Sequence, residues 1–374
     1  MTSTRQPPSS HPPVPPVPPG SGPPGAAARR AVRRIRPAWW GVAALALSTL
    51  VVTQTASSYN VFVYDSILLA AMGAIALQIL QGTTGQFSVG NAAFLLIGAF
   101  SAVFVLRQGL PFPLDLVVAT LVAGVAGLIV GIPALRLRGL FLVLATFAAH
   151  FIATFAGNLY QGHHPEFAAT GFFIPVLFAD HDDGGGTAWS WLLSGLVALL
   201  ILGATRIVRE RSGRALRMIR QHEHIAPTLG IRVGRYKLLI FTLSSMVIGF
   251  EGALLAHLNG SVQVANFTLL LAFQYVLMIM IGGLDSIPGA VIGAAVVVAL
   301  PIVVPDLLSA LHLNAMDPTF SANVSLIIYG VAVIFFVTAS PEGIMGLLRA
   351  LGRRAVRLPG IRDAYARLAA GTGA

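Results

Sequence analysis

The 374-residue sequence contains no cysteine, which excludes disulfide frameworks, thiolate metal sites and thiol nucleophiles. Charge is scarce as well: Asp, Glu, Lys and Arg make up 10% of the chain, against about 25% in an ordinary soluble domain. That shortage excludes a soluble enzyme with a hydrated surface. Acidic residues are the scarcer sign, 14 Asp+Glu against 24 Lys+Arg, giving a formal net charge of +10. The chain has no G-x-x-x-x-G-K-[ST] stretch, so it should not bind ATP through a P-loop itself. No nucleophile and base pairing is legible, and no cofactor is assigned.

What the chain does have is apolar sequence. Hydrophobic residues form 56% of it, with a mean hydropathy of +0.79. Repeated apolar runs near the ~20 residues needed to cross a bilayer predict an all-α, polytopic integral membrane helical bundle of about ten transmembrane helices. Hydropathy and breaker residues place the spans at 38–55, 62–81, 90–106, 114–135, 139–158, 188–206, 237–257, 267–283, 288–304 and 321–339. Residues 1–36 read as a Pro- and Arg-rich disordered tail, because a run dominated by Pro, Ser and Gly cannot bury a core. Residues 37–345 form the membrane domain, and 346–374 a second, basic tail.

The basic residues give the orientation, since Lys and Arg collect in cytoplasmic loops. With the amino terminus inside, 23 of the 24 Lys+Arg fall on the cytoplasmic side and only Arg107 is left outside. Both termini are then cytoplasmic. The outer loops hold Glu166, Asp180, Asp182, Asp183, Asp306 and Asp317. The basic excess thus belongs to one membrane face, and a nucleic-acid-binding surface is not needed to explain it.

Two segments stand out from the apolar background. Gln81 to Gly90 is a polar, glycine-rich turn between two spans, whose unpaired backbone groups must be buried in protein or wet by a cavity. The longest polar insertion, about 206–237, is cytoplasmic by the charge rule; within it Gly213 to His224 reads as a short helix with Arg214, Arg217 and Arg220 three apart along one face. Pro227 and Gly230 then redirect the chain. This insertion is either a solvated connection carrying orienting charge or a docking element that transmits motion from a soluble partner.

The residues of the insertion resemble the cytoplasmic loop of LivM-type permease subunits in branched-chain amino acid ABC importers. The family's loop reads approximately G-R-A-L-x-A-I-R, an acidic position, A-x-x-x-G-I and R-Y-K-L-x-x-F-x-x-S. Here Gly213-Arg214-Ala215-Leu216, Ile219-Arg220, Glu223, Gly230-Ile231 and Arg235-Tyr236-Lys237-Leu238 with Phe241 and Ser244 match in order and spacing. Gly85 to Phe94 is similar to the family's G-Q-x-S-L-G-H-A-A-F, Leu135 to Gly139 to its R-L-R-G turn, and Gly282 to Gly289 to its G-G-x-G-S-x-x-G stretch. The resemblance covers most of residues 60–345. The sequence departs from the pattern at Asn91, where His is usual, at Leu140, where an acidic residue is common, at Asp285, where Gly is usual, and at Glu251, where a small residue is common.

The resemblance implies an ABC importer permease fold in a bacterial cytoplasmic membrane. It also implies a second, LivH-like permease subunit, two cytoplasmic ATP-binding subunits and an extracytoplasmic solute-binding protein. Gly213, Arg214, Arg217, Glu223 and Gly230 would couple this subunit to an ATPase. The solute would be a branched-chain amino acid or a related small polar molecule, with urea or short amides as the alternative. Gln86, Ser88 and Asn91 could hydrogen-bond a passing solute without the desolvation cost of a fixed charge, or could bond neighbouring helices instead. Glu251 lies inside a span, where a carboxylate should face a cavity, a partner or its own protonation. It joins the candidate path, or carries a coupling proton if the chain is a secondary transporter. A non-transporting scaffold is the third possibility. His150 and His257 read as hydrogen-bonded structure. His163, His164, Glu166 and His181-Asp182-Asp183 lack regular ligand spacing, and no metal is assigned.

Overall fold

The computed structural model describes residues 26–137, 139–164, 171–174 and 185–310, together with isolated positions between 324 and 346. The Pro-rich tail before Ala26, Glu166, His181-Asp182-Asp183, most of the tenth predicted span and the tail beyond 346 lie outside the described residues. In chain order the elements are α1 (Ala26–Thr55), α2 (Ser58–Gln78) continuing into a π-turn (Ile79–Thr83), α3 (Asn91–Arg107), α4 (Leu114–Ala134), α5 (Leu140–Gly162) and β1 (Phe172–Phe173). There follow α6 (Gly185–Arg209), α7 (Arg211–Gln221), α8 (Val233–Asn259), β2 (Ser261–Val262), α9 (Leu269–Gly282) and α10 (Ile287–Ala310).

Apolar helices occupy nine of the ten predicted spans. Six are long enough to cross a membrane unaided, and three, Gly41–Thr55, Asn91–Arg107 and Ile287–Val303, are shorter. α1 takes in Ala26–Arg36, which the sequence reading assigned to the disordered tail; Ala and Arg are strong helix formers, and no glycine interrupts this stretch.

The arrangement has a centre and a rim. α2 with its π-turn is the most enclosed span, 72% buried, whereas α4, α5 and α6 are 28–33% buried. α2 earns that place by composition: Ala70, Ala71, Ala74 and Ala76 let neighbours come close, while Leu68, Leu69, Met72 and Ile75 fill the space between. α3 crosses α8 at close range, with Gly98 set directly on the backbone of Gly249; a Cβ on Gly98 would overlap that backbone. At the rim, Val117, Leu121, Val125, Leu128 and Ile132 form an exposed apolar stripe on α4, and Phe141, Leu144, Phe151, Phe155 and Leu159 another on α5. Such continuous belts would aggregate in water and are the natural lipid-facing surface of a membrane bundle.

The two ends of the bundle differ in character. At one, β1 and β2 pair antiparallel, Phe172 opposite Val262. Phe172 gathers the rings of Phe100, Tyr160 and His164 around it, and Arg107 lies 5.5 Å above the Phe172 ring. Arg107 is thus held by a cation–π contact. At the other end stand the π-turn, α7 and the turns joining α4 to α5 and α9 to α10.

Candidate functional site

The helical path of α2 widens into the π-turn and stops, and residues 85–90 run without regular secondary structure before α3 begins. A 17-residue helix such as α3 spans about 25 Å, short of the ~30 Å hydrocarbon core, which leaves room at membrane depth for the non-helical stretch before it. Its burial alternates as in a strand: Gln86 and Ser88 point inward, and Gly85 and Phe87 outward. Gly85 starts the break with φ +72°, a backbone conformation that side chains other than glycine adopt at a cost.

Non-helical backbone survives inside a membrane only if its polar groups find partners. Side chains supply most of them here. Gln81 Nε2 donates to Ser88 O at 2.9 Å, Thr146 Oγ1 on α5 accepts from Val89 N at 3.1 Å, and Arg220 donates to Gly82 O. Gln86 N donates to Thr84 Oγ1 at 3.3 Å, and Ser88 Oγ accepts from Gly90 N at 3.3 Å. Gln86 and Ser88 therefore hold the shape of the break. Asn91 differs: its Nδ2 donates to Ala272 O at 3.5 Å, while its buried Oδ1 has no hydrogen-bond partner among the described residues.

Glu251 lies apart from these three, at the meeting of α8, α9 and α2. It is fully buried, Tyr275 OH donates to its Oε1, and its Oε2 has no hydrogen-bond partner among the described residues. The carboxylate fits because α2 presents Gly73 to it; a Cβ at Gly73 would occupy the place of Oε2.

The predicted loop helix forms as α7, with Gly213, Leu216 and Ile219 buried and the arginines exposed. Gly213 sits on the backbone of Val208, which allows the tight turn from α6 into α7. Gly230 closes the following 3₁₀ turn (Ala226–Leu229) with φ +77°. Arg217 donates to Val208 O at 2.9 Å, and Glu223 Oε1 lies 2.8 Å from Lys237 Nζ. Both fasten the loop to its own subunit. Arg214 is exposed with no ion-pair partner among the described residues, and Ile225 and Leu229 are exposed further along the loop. α7 thus presents a basic outer surface, held from behind by its own contacts.

Between α7 and the membrane helices lies a cavity of about 1120 Å³. Gln78, Gly82, Arg217, Arg220, Asp285 and Ser286 form its polar side, with Leu45, Ile201 and Val291 among the apolar walls. Gln86, Ser88, Asn91 and Glu251 do not line it. Sequence reasoning left out the residues that tie this region together: Gln78, which donates to Leu284 O, Gln81, Thr146, and the ion pair of Arg220 with Asp285. The glutamines were visible as polar residues at the end of an apolar run, and Asp285 as a departure from the family's pattern.

Of the membrane histidines, His257 Nε2 lies 2.5 Å from Asp115 Oδ2, both side chains buried, with Phe112 edge-on to the ring. His150 is buried against Phe151, its Nδ1 unbonded among the described residues.

A family model described as the permease component of the branched-chain amino acid transport system matches residues 60–337. The chain is also similar to the high-affinity branched-chain amino acid transport system permease proteins LivM of Escherichia coli strain K12 and Salmonella typhimurium strain LT2. Each is 27% identical over 248 residues, a match that covers 60% of this chain and 58% of the relative. The chain therefore spans less than two thirds of the length of these curated relatives. No solved structure matches the chain.

Proposed function

Because the chain belongs to the permease family of branched-chain amino acid transport systems, we propose that it is the translocation subunit of an ATP-driven importer of branched-chain amino acids. It pairs with a second, LivH-like permease subunit in a bacterial cytoplasmic membrane, with both termini on the cytoplasmic side. Two cytoplasmic ATP-binding subunits drive it, and an extracytoplasmic solute-binding protein delivers the solute. The observation that carries this reading is the family match over 60–337, which takes in the intramembrane break, the loop containing α7 and the α9–α10 turn.

The geometry supports the division of labour. α7 and the 3₁₀ turn after it form the docking surface for an ATP-binding subunit. Arg214 supplies charge, and Ile225 and Leu229, 50% and 64% exposed outside the apolar belt, supply the apolar contact that protein interfaces bury at their centre. Glu223, Arg217, Gly213 and Gly230 set the shape of that surface. The solute path follows the intramembrane break, where Asn91 Oδ1 offers an acceptor, with Gln86 and Ser88 shaping its wall and Glu251 contributing a second polar group from α8.

The test is uptake of radiolabelled leucine, isoleucine, valine and urea in cells that carry the chain with and without its ATP-binding subunits. Uptake of the three amino acids that requires those subunits, and survives collapse of the proton gradient while ATP is maintained, is the expected result. Uptake that persists without them and disappears with the proton gradient would make the chain a secondary transporter, with Glu251 as its coupling carboxylate. Uptake of urea alone would move the solute to short amides.

A further inference from the structure

We propose that Arg220 and Asp285 form a latch through which movement of α7 opens and closes the membrane domain at the α7 end of its cavity, an inference that rests on the transporter reading above. Two joints cross the seam between the π-turn and the α9–α10 turn. Gln78 donates to Leu284 O, joining one membrane element to another. Arg220 makes the second from α7, donating both to Gly82 O on the π-turn and to the Asp285 carboxylate. Its side chain also lies along Gly85, where an added Cβ would come within 3.2 Å of Arg220 Cγ. A single arginine thus touches the end of α2, the start of the intramembrane break and the turn between α9 and α10.

α7 is built to carry that arginine as a rigid arm. Gly213, Leu216 and Ile219 are buried beneath it, and Arg220 follows directly on Ile219. Displacing α7 withdraws the arginine from both partners at once. Gly82 O then loses its donor and must be met by water, which the adjoining cavity can admit. The ion pair is weak enough to be reversible, because its side chains are 33% and 72% exposed, and pairs that open to solvent contribute little. Arg220 and Asp285 are accordingly positioning residues: they hold the seam shut and yield when the loop moves.

Ser286, buried beside Asp285 and lining the same cavity, is the reporter. In the cysteine-free full-length chain, within its assembled complex in inverted membrane vesicles, Ser286→Cys should react slowly with a charged maleimide. Arg220→Gln and Asp285→Asn, made separately, should each raise that rate about fivefold, and the exchange of Arg220→Asp with Asp285→Arg should bring it part of the way back, since it restores the ion pair but not the donor to Gly82 O. Solute moved per ATP hydrolysed should fall in each single variant and recover in part in the exchange. Asp285 is exposed, so Asp285→Asn gives a folded chain even if an Arg220 variant does not. An unchanged labelling rate in Asp285→Asn, or an exchange no slower than the single variants, overturns the latch. If labelling follows the latch pattern but the unaltered complex shows no ATP-dependent uptake, the latch stands and the importer reading falls.

Discussion

Lys237 Nζ lies 2.8 Å from Glu223 Oε1, joining the first turn of α8 to the loop that follows α7. The lysine is 9% exposed and the glutamate 28%, so the lysine depends on its partner more than a surface pair would. Removing the acid leaves a nearly buried ammonium short of an acceptor. Glu223→Ala should therefore lower the thermal stability of the purified chain by about 1–3 kcal/mol and increase proteolysis between Arg211 and Arg235. Replacing both residues by apolar ones, Glu223→Leu with Lys237→Met, should recover most of the stability, since neither charge is then stranded. Equal losses in the single and double variants would show that a stranded lysine is not the source of the cost.

The Asp115–His257 contact joins the start of α4 to the end of α8 with both side chains buried. Asp115→Ala should destabilise the chain by about 1–3 kcal/mol, the usual result of leaving a buried polar group without its partner. The effect should be read as the temperature at which the detergent-solubilised chain loses its monodisperse profile. His257→Leu made together with Asp115→Leu should cost less than Asp115→Ala alone.

The nine apolar helices among the described residues were legible because an apolar run near bilayer length has few other uses, and α7 because Arg214, Arg217 and Arg220 recur three apart along one face. The break at Gly85 to Gly90 was legible from polarity and glycine. The π-turn was not: Ile79 and Leu80 continue the apolar pattern of α2, and nothing local says that the helix widens there. The site's ties were hidden for another reason. Arg220 and Asp285 are 65 positions apart and Asp115 and His257 are 142 apart, so their pairing depends on how distant helices register. His257 has the hydrogen-bonded role expected of it, whereas the His150 contact that the structure gives is the edge of Phe151.

The proposed orientation rests on the 23-to-1 partition of basic residues. Cysteines introduced singly at Ser212, at the start of α7, and at Thr187, at the opposite end of α6, should react with a membrane-impermeant maleimide from opposite sides. Ser212→Cys should label in inverted vesicles and Thr187→Cys in intact cells. Labelling of both in intact cells would overturn the orientation and place α7 away from any cytoplasmic ATPase.

Two amides flanking the break separate a transport role from a structural one. Gln81 is committed: its Nε2 holds Ser88 O at 2.9 Å, and a buried carbonyl left without a donor costs about 1–3 kcal/mol. Asn91 is buried equally deep, yet its Oδ1 has no partner among the described residues and its Nδ2 contact, at 3.5 Å, is long. Truncating Asn91 therefore removes little that the folded chain uses. Asn91→Ala should lower solute uptake several-fold while thermal stability and co-purification with the second permease subunit stay within about 0.5 kcal/mol and normal yield. Gln81→Ala should reduce stability, assembly and uptake together. Parallel losses in Asn91→Ala would mean that its amide is part of the packing between α3 and α9, and the path along the break would lose its acceptor. Unchanged uptake would place the solute elsewhere, and the cavity beneath Arg220 and Asp285 would then be the next part of the bundle to probe.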